Sequence, residues 1–307
     1  MIQSELIEPG RATVVTLGRL GIIGLAAADS TRLLSQPKRA AILLYVMLSQ
    51  RGGALERDQI IGTFWPESDS TRARNALRQS LSFLRSCLGD DAVASTGAHG
   101  VAVDDSLVCD AVQFESLLDL GRREEALGLY GGELLPGFYG GGSRAFDDWL
   151  DARRTHLARR AAKAAWDLSS DCEGGGDGSG AAFWGKRALA LSPFSESEVQ
   201  RLLRLLVRVN DDAGALRAFH GLQHSLASEF GSQPSAETAR MVADIRRRVE
   251  SEGRHVPALL GTRRSGVDRR VAERRTKKGR CTGVERRCRP DRRESDRRLG
   301  TDRRALS

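Results

Sequence analysis

Seven side chains in one short stretch could make directed hydrogen bonds to an anion or a base edge. They are Arg72, Arg74, Asn75, Arg78, Gln79, Ser82 and Arg85, all between Ser70 and Gly89, where no Asp or Glu occurs. An arginine fork donates two parallel N–H groups to a phosphate or to the guanine edge, and Asn or Gln matches adenine. A solvated helix face usually mixes both signs of charge, whereas this one carries a single sign. Taken alone, the stretch also fits an ordinary basic surface helix, so its neighbours must decide. His99, between two β-rich segments, could meet a phosphate, although a histidine in a loop is the default.

The elements that would position these groups follow from periodicity. Ala73, Leu77, Leu81, Leu84 and Leu88 recur at one helical face, with Ser70 or Thr71 as cap and Gly89 as stop. Arg85 falls on the opposite face, where its removal should leave stability nearly unchanged. Upstream, Val14–Leu17 and Leu20–Leu25 suit short strands. Ser35 and Pro37 open a helix over Lys38–Leu48, Arg51-Gly52-Gly53 makes a turn, and a second helix runs over Glu56–Phe64. Val93–Thr96 and Val101–Asp104 can pair as a hairpin across Gly97–Gly100. Strands, three helices and a hairpin are the order of a winged helix-turn-helix. There the third helix enters the major groove and the wing touches the backbone.

From Asp110 to Glu250 the pattern is helical. Amphipathic segments cover Glu124–Tyr130, Arg144–Ser170, Ala181–Leu191, Glu196–Val209, Ala213–Phe230 and Ala236–Glu250. Paired helices with small residues at their contacts are similar to tetratricopeptide hairpins, which stack into binding surfaces. The glycine-rich insert Gly174–Gly180 is expected to loosen the first hairpin. The expected fold is mainly α. It comprises a lead-in over 1–12, a winged helix-turn-helix over 13–105, a tetratricopeptide-like helical domain over 106–250 and a disordered Arg-rich tail over 251–307.

Particular motifs sharpen this reading. Gln36-Pro37-Lys38-Arg39-Ala40, Phe64-Trp65-Pro66 and Ala73-Arg74-Asn75-Ala76-Leu77-Arg78-Gln79 through Leu84-Arg85 resemble the OmpR/PhoB-type winged helix of antibiotic-regulatory-protein-like bacterial activators. Leu134-Leu135-Pro136-Gly137-Phe138 and Asp148-Trp149-Leu150 through Arg153-Arg154 resemble the bacterial transcriptional activator domain that follows it in that family. The resemblance covers about residues 13–250. It implies a sequence-specific DNA-binding regulator, double-stranded DNA and RNA polymerase as partners, and a homodimer. It implies no cofactor, no metal and no enzymatic activity. The alternative is an interaction scaffold whose winged helix no longer reads DNA and whose tail binds RNA or a protein.

Other signals exclude or leave open further classes. The longest apolar run, Ala40–Leu48, is far short of the ~20 residues of a membrane span, and the acidic N-terminus is unlike a signal peptide, so a cytoplasmic protein without membrane contact is expected. Cys87, Cys109, Cys172, Cys281 and Cys288 match no zinc spacing. Gly180–Arg187 has the spacing of a phosphate-binding loop but puts Arg187 where Ser or Thr would hold magnesium. The last 57 residues hold 19 basic and 8 acidic side chains, while the remainder of the chain carries a net charge of −3. Six acid-Arg-Arg triplets, beginning at Asp268, Glu273, Glu285, Asp291, Asp296 and Asp302, fit a solubilising extension, a DNA- or RNA-phosphate clamp, or contact with an acidic protein or membrane surface.

Overall fold

The computed structural model of the protein describes residues 11–49, 53–97, 100–138, 143–191 and 195–251. The expectations for residues 1–10, the turn at Arg51-Gly52, His99 and the Arg-rich segment from 252 onward lie outside the described residues.

The longest apolar run forms the central helix. Helix α2 (Pro37–Ser49) buries every residue from Ala40 to Leu48, because four helices and the wing surround it on all sides. Ahead of it lie strands β1 (Ala12–Val15) and β2 (Gly21–Ile23) and a short helix α1 (Ala27–Leu34) that periodicity does not announce. Then follow β3 (Leu55–Glu56), α3 (Arg57–Phe64), α4 (Ser70–Leu88) and the wing strands β4 (Val93–Thr96) and β5 (Gly100–Val103). The wing pairs antiparallel from Val93 opposite Val103 to Thr96 opposite Gly100, and β3 adds to its other edge.

The next strand changes the domain picture. Strand β6 (Leu107–Cys109) runs parallel to β1 and completes the sheet β2-β1-β6. A boundary at 105 therefore cuts a sheet whose third strand lies beyond it. Asp110 follows at once, opening helix α5 (Asp110–Asp119). Its carboxylate accepts from the Thr16 amide at 2.8 and 2.9 Å, the Thr16 hydroxyl at 2.6 Å, the Leu17 amide at 3.0 Å and the Ala111 amide at 2.8 Å. Residues 11–251 fall within a single compact unit.

The motifs of the helical half are part of the same joint. Leu135 is fully buried with φ of +50°, a conformation unusual for a leucine. Its amide donates to the Thr16 carbonyl at 2.8 Å, while Arg154 donates to the Leu134 and Leu135 carbonyls. Tyr45, Phe64, Phe146 and Trp149 stack edge-on or tilted at centroid distances of 4.7–5.6 Å, joining α2 and α3 to the helical half. Phe64 and Trp149, which carry part of the family resemblance, thus hold the two halves together, while Arg154 fixes the segment whose Leu135 amide reaches Thr16.

Helices α6 (Arg123–Leu129), α7 (Arg144–Gly174), α8 (Gly178–Ala190), α9 (Glu196–Arg208), α10 (Asp212–Phe230) and α11 (Ala236–Ser251) complete the chain. Consecutive helices from α7 onward pack as hairpins. The expected loosening at Gly174–Gly180 is corrected, since only Gly175, Gly176 and Asp177 separate α7 from α8. Gly176 takes φ of +80°, Asp177 caps α8 by accepting from the Gly180 amide, and a Cβ at Gly180 would clash with that carboxylate. The glycines tighten the turn rather than relax it.

Candidate nucleic-acid interface

Helix α4 is a buried stripe opposite a polar one. Ala73, Leu77, Ser80, Leu81, Leu84 and Cys87 are buried against α1, α2, α3 and β4. The inward turn at the C-terminal end uses Cys87 where periodicity suggested Leu88, which is half-buried. Capping also differs: Asp69 holds the Thr71 and Arg72 amides at 3.0 and 2.9 Å. A carboxylate satisfies two orphan donors and complements the helix dipole, which the hydroxyls of Ser70 and Thr71 do not do here. Gly89 ends the helix at φ 102°, ψ 153°, a region only glycine occupies freely.

Arg74, Asn75, Arg78, Gln79 and Ser82 are all exposed on the outer stripe. Arg72 is exposed as well and lies 3.3 Å from Asp69, a surface pair of little energetic weight. Arg85 departs from expectation. It is half-buried, its Nε donates to the Val93 carbonyl at 2.7 Å, and a terminal nitrogen donates to the Ser95 hydroxyl at 3.1 Å. The wing rises beside the last turns of α4, so this guanidinium braces helix to hairpin instead of standing clear in solvent.

Periodicity does not reveal the residues that flank α4 on both edges. On one edge, Arg39 and Arg32 place their guanidinium carbons 4.1 and 5.0 Å from the Phe83 ring centroid, and the ring orients both cations. On the wing edge, Arg57 donates to the Ser95 hydroxyl at 2.8 Å. Arg39 belongs to the Gln36–Ala40 motif, but nothing in the spacing shows that α2 brings it to Phe83. Lys38 in the same motif is structural. It donates to the Phe64 carbonyl at 2.9 Å and sits 4.6 Å from the centre of the Trp65 ring, and burial pushes its ammonium below the ordinary lysine range.

The remaining sequence signals have local explanations. Gly180–Arg187 lies within α8, where Lys186 pairs with Asp211 at 2.7 Å and a Cβ at Gly185 would stand 2.8 Å from Leu205. Cys109 is buried beside Asp110, and its thiol is pushed up to about 12, by burial first and by that carboxylate second. Among the described residues no cluster of His, Cys, Asp or Glu could hold a metal, and no helix is long and apolar enough to cross a membrane.

A basic helix mounted on scaffold helices beside a wing, continued by stacked helical hairpins, defines a winged helix-turn-helix joined to a helical-repeat half. Residues 109–246 match the family described as bacterial transcriptional activator domain. That segment carries the match to the family's domain, and the chain is similar to antibiotic-regulatory-protein-like regulators. It is 28% identical over 237 residues to Regulatory protein AfsR of Streptomyces griseus, covering 71% of this chain but only 23% of that protein. It is 24% identical over 254 residues to Transcriptional regulatory protein MoaR1 of Mycobacterium tuberculosis, covering 76% of this chain and 79% of the relative. The fold matches Mycobacterium tuberculosis EmbR, solved with a low-affinity phosphopeptide, at a TM-score of 0.50 and 19% identity, over 78% of this chain and 65% of that one.

Proposed function

We propose that the protein is a sequence-specific DNA-binding transcriptional activator. The outer face of α4 reads the major groove, and the helical half serves self-association or contact with RNA polymerase. One observation carries this reading: Arg74, Asn75, Arg78, Gln79 and Ser82 stand exposed along one acid-free stripe while the opposite stripe is buried. The match of residues 109–246 to the bacterial transcriptional activator domain supports the activator role, with RNA polymerase as the partner that the resemblance implies. An open apolar groove of about 880 Å³ between α5, α6 and α8, lined by Leu117, Leu120, Phe183 and Trp184, supports a protein-contact role for the helical half.

Selection of duplexes from a random pool by the full chain, followed by competition with unrelated DNA at moderate salt, tests the reading. Enrichment of a common sequence is expected. Binding that is indifferent to sequence would favour the scaffold alternative. The Arg-rich segment adds sequence-independent phosphate contacts in this scheme. Deleting Gly261–Ser307 should then weaken all duplexes alike and make the salt slope shallower by about 0.9 for each phosphate no longer neutralised. An unchanged slope would leave that segment as a solubilising extension.

A further inference from the structure

We infer that Arg57, Arg85 and Ser95 form a receptor for one backbone phosphate at the foot of the wing. This rests on the DNA-binding reading above and adds to it a contact that α4 alone does not show. The Ser95 hydroxyl accepts from Arg57 at 2.8 Å and from Arg85 at 3.1 Å, so two cations stand next to one another on a single oxygen. Neither guanidinium has a carboxylate partner among the described residues. Two like charges brought together repel, and an anion between them removes that repulsion.

The hydrogen-bond inventory points the same way. An arginine has five N–H donors and no acceptor. Arg85 gives its Nε to Val93, which fixes the plane of its fork. The Nε of Arg57 is buried without an acceptor. With both N–H contacts arriving at its oxygen, Ser95 keeps its own proton to donate. The cluster therefore presents donors only, around an exposed serine, and a phosphate offers acceptors only. Arg85 lies seven residues beyond Arg78 on the same helix, roughly 10 Å along its axis at about 1.5 Å per residue. That reach is comparable to the ~12 Å width of the major groove, so base-edge contact at Arg78 and phosphate contact at Arg85 fit one duplex.

The test uses the full chain and a duplex it has selected. A single neutral methylphosphonate linkage is walked along each strand, and affinity is measured for wild type and Arg57→Gln. Wild type is expected to lose affinity at one linkage near the wing. Arg57→Gln should bind the unmodified selected and random duplexes about tenfold more weakly, with a salt slope shallower by about 0.9. It should also be indifferent to that linkage. Ser95→Ala, at an exposed strand position, gives the same readout should Arg57→Gln lower the melting temperature. Equal losses at every linkage in variants and wild type would overturn the phosphate receptor while leaving groove reading intact. A wild type that selects no sequence would overturn both together.

Discussion

At the scale of single residues, the exposed stripe separates side chains that can read bases from those already engaged. Arg78→Ala should cost about 1–3 kcal/mol on the preferred duplex and flatten preference at one base pair. Binding of single-substituted duplexes checks this, and an equal loss on every sequence would make Arg78 a phosphate contact instead. Arg85→Ala behaves differently, because it removes donors from the Val93 carbonyl and the Ser95 hydroxyl. It should lower the stability of the folded unit by roughly 1–3 kcal/mol, whereas Arg78→Ala should leave melting unchanged. Helical periodicity puts both arginines on one face because it resolves angle only. Which edge the wing covers depends on the path of a hairpin several residues downstream, and that is absent from the spacing within α4.

At the scale of elements, periodicity is legible wherever a helix buries one stripe. The helices around Ala73–Leu84, Glu196–Val209 and Ala236–Glu250 are readable nearly to their ends. Leu81, almost fully buried, should cost about 2–5 kcal/mol as Leu81→Ala, measured by chemical denaturation, while Gln79→Ala should cost nearly nothing. Short elements escape. Helix α1 has only eight residues and buries Leu33 alone, and β3 and β6 are too brief to alternate. The glycines between α7 and α8 mislead for another reason. Glycine marks a loose loop and a close approach equally well in a sequence, and only packing tells them apart. Gly185→Ala makes that visible. A Cβ there would press on Leu205 at 2.8 Å and Leu202 at 3.0 Å, so destabilisation of about 1–3 kcal/mol is expected, despite the gain in helix propensity.

At the scale of the whole molecule, the sequence shows two kinds of pattern and so suggests a boundary near 105, but the contacts cross it. Strand β6 pairs with β1, Asp110 collects amides from Thr16 and Leu17, and the Leu135 amide donates to the Thr16 carbonyl. Composition changes there while the hydrogen-bond network does not, and long-range pairing of this kind leaves no local trace in the chain. A fragment ending at 105 would expose the edge of β1 and leave the Thr16 and Leu17 amides without their carboxylate, each a buried donor costing about 1–3 kcal/mol when unpaired. Such a fragment should fail to fold, although it contains the whole expected winged helix, whereas a fragment ending at 251 should melt in one transition. Asp110→Asn is the milder form of the same cut. It turns an acceptor of backbone amides into a group that also donates, and it should destabilise both halves together by at least about 1–3 kcal/mol. Following thermal unfolding through Trp65, in the winged half, and Trp184, in the helical half, checks this with single-tryptophan variants. Coincident curves shifted equally by Asp110→Asn are expected. Curves that separate, with only the Trp65 transition moving, would mean that the winged half unfolds on its own and that α4 is not rigidly tied to the helical half.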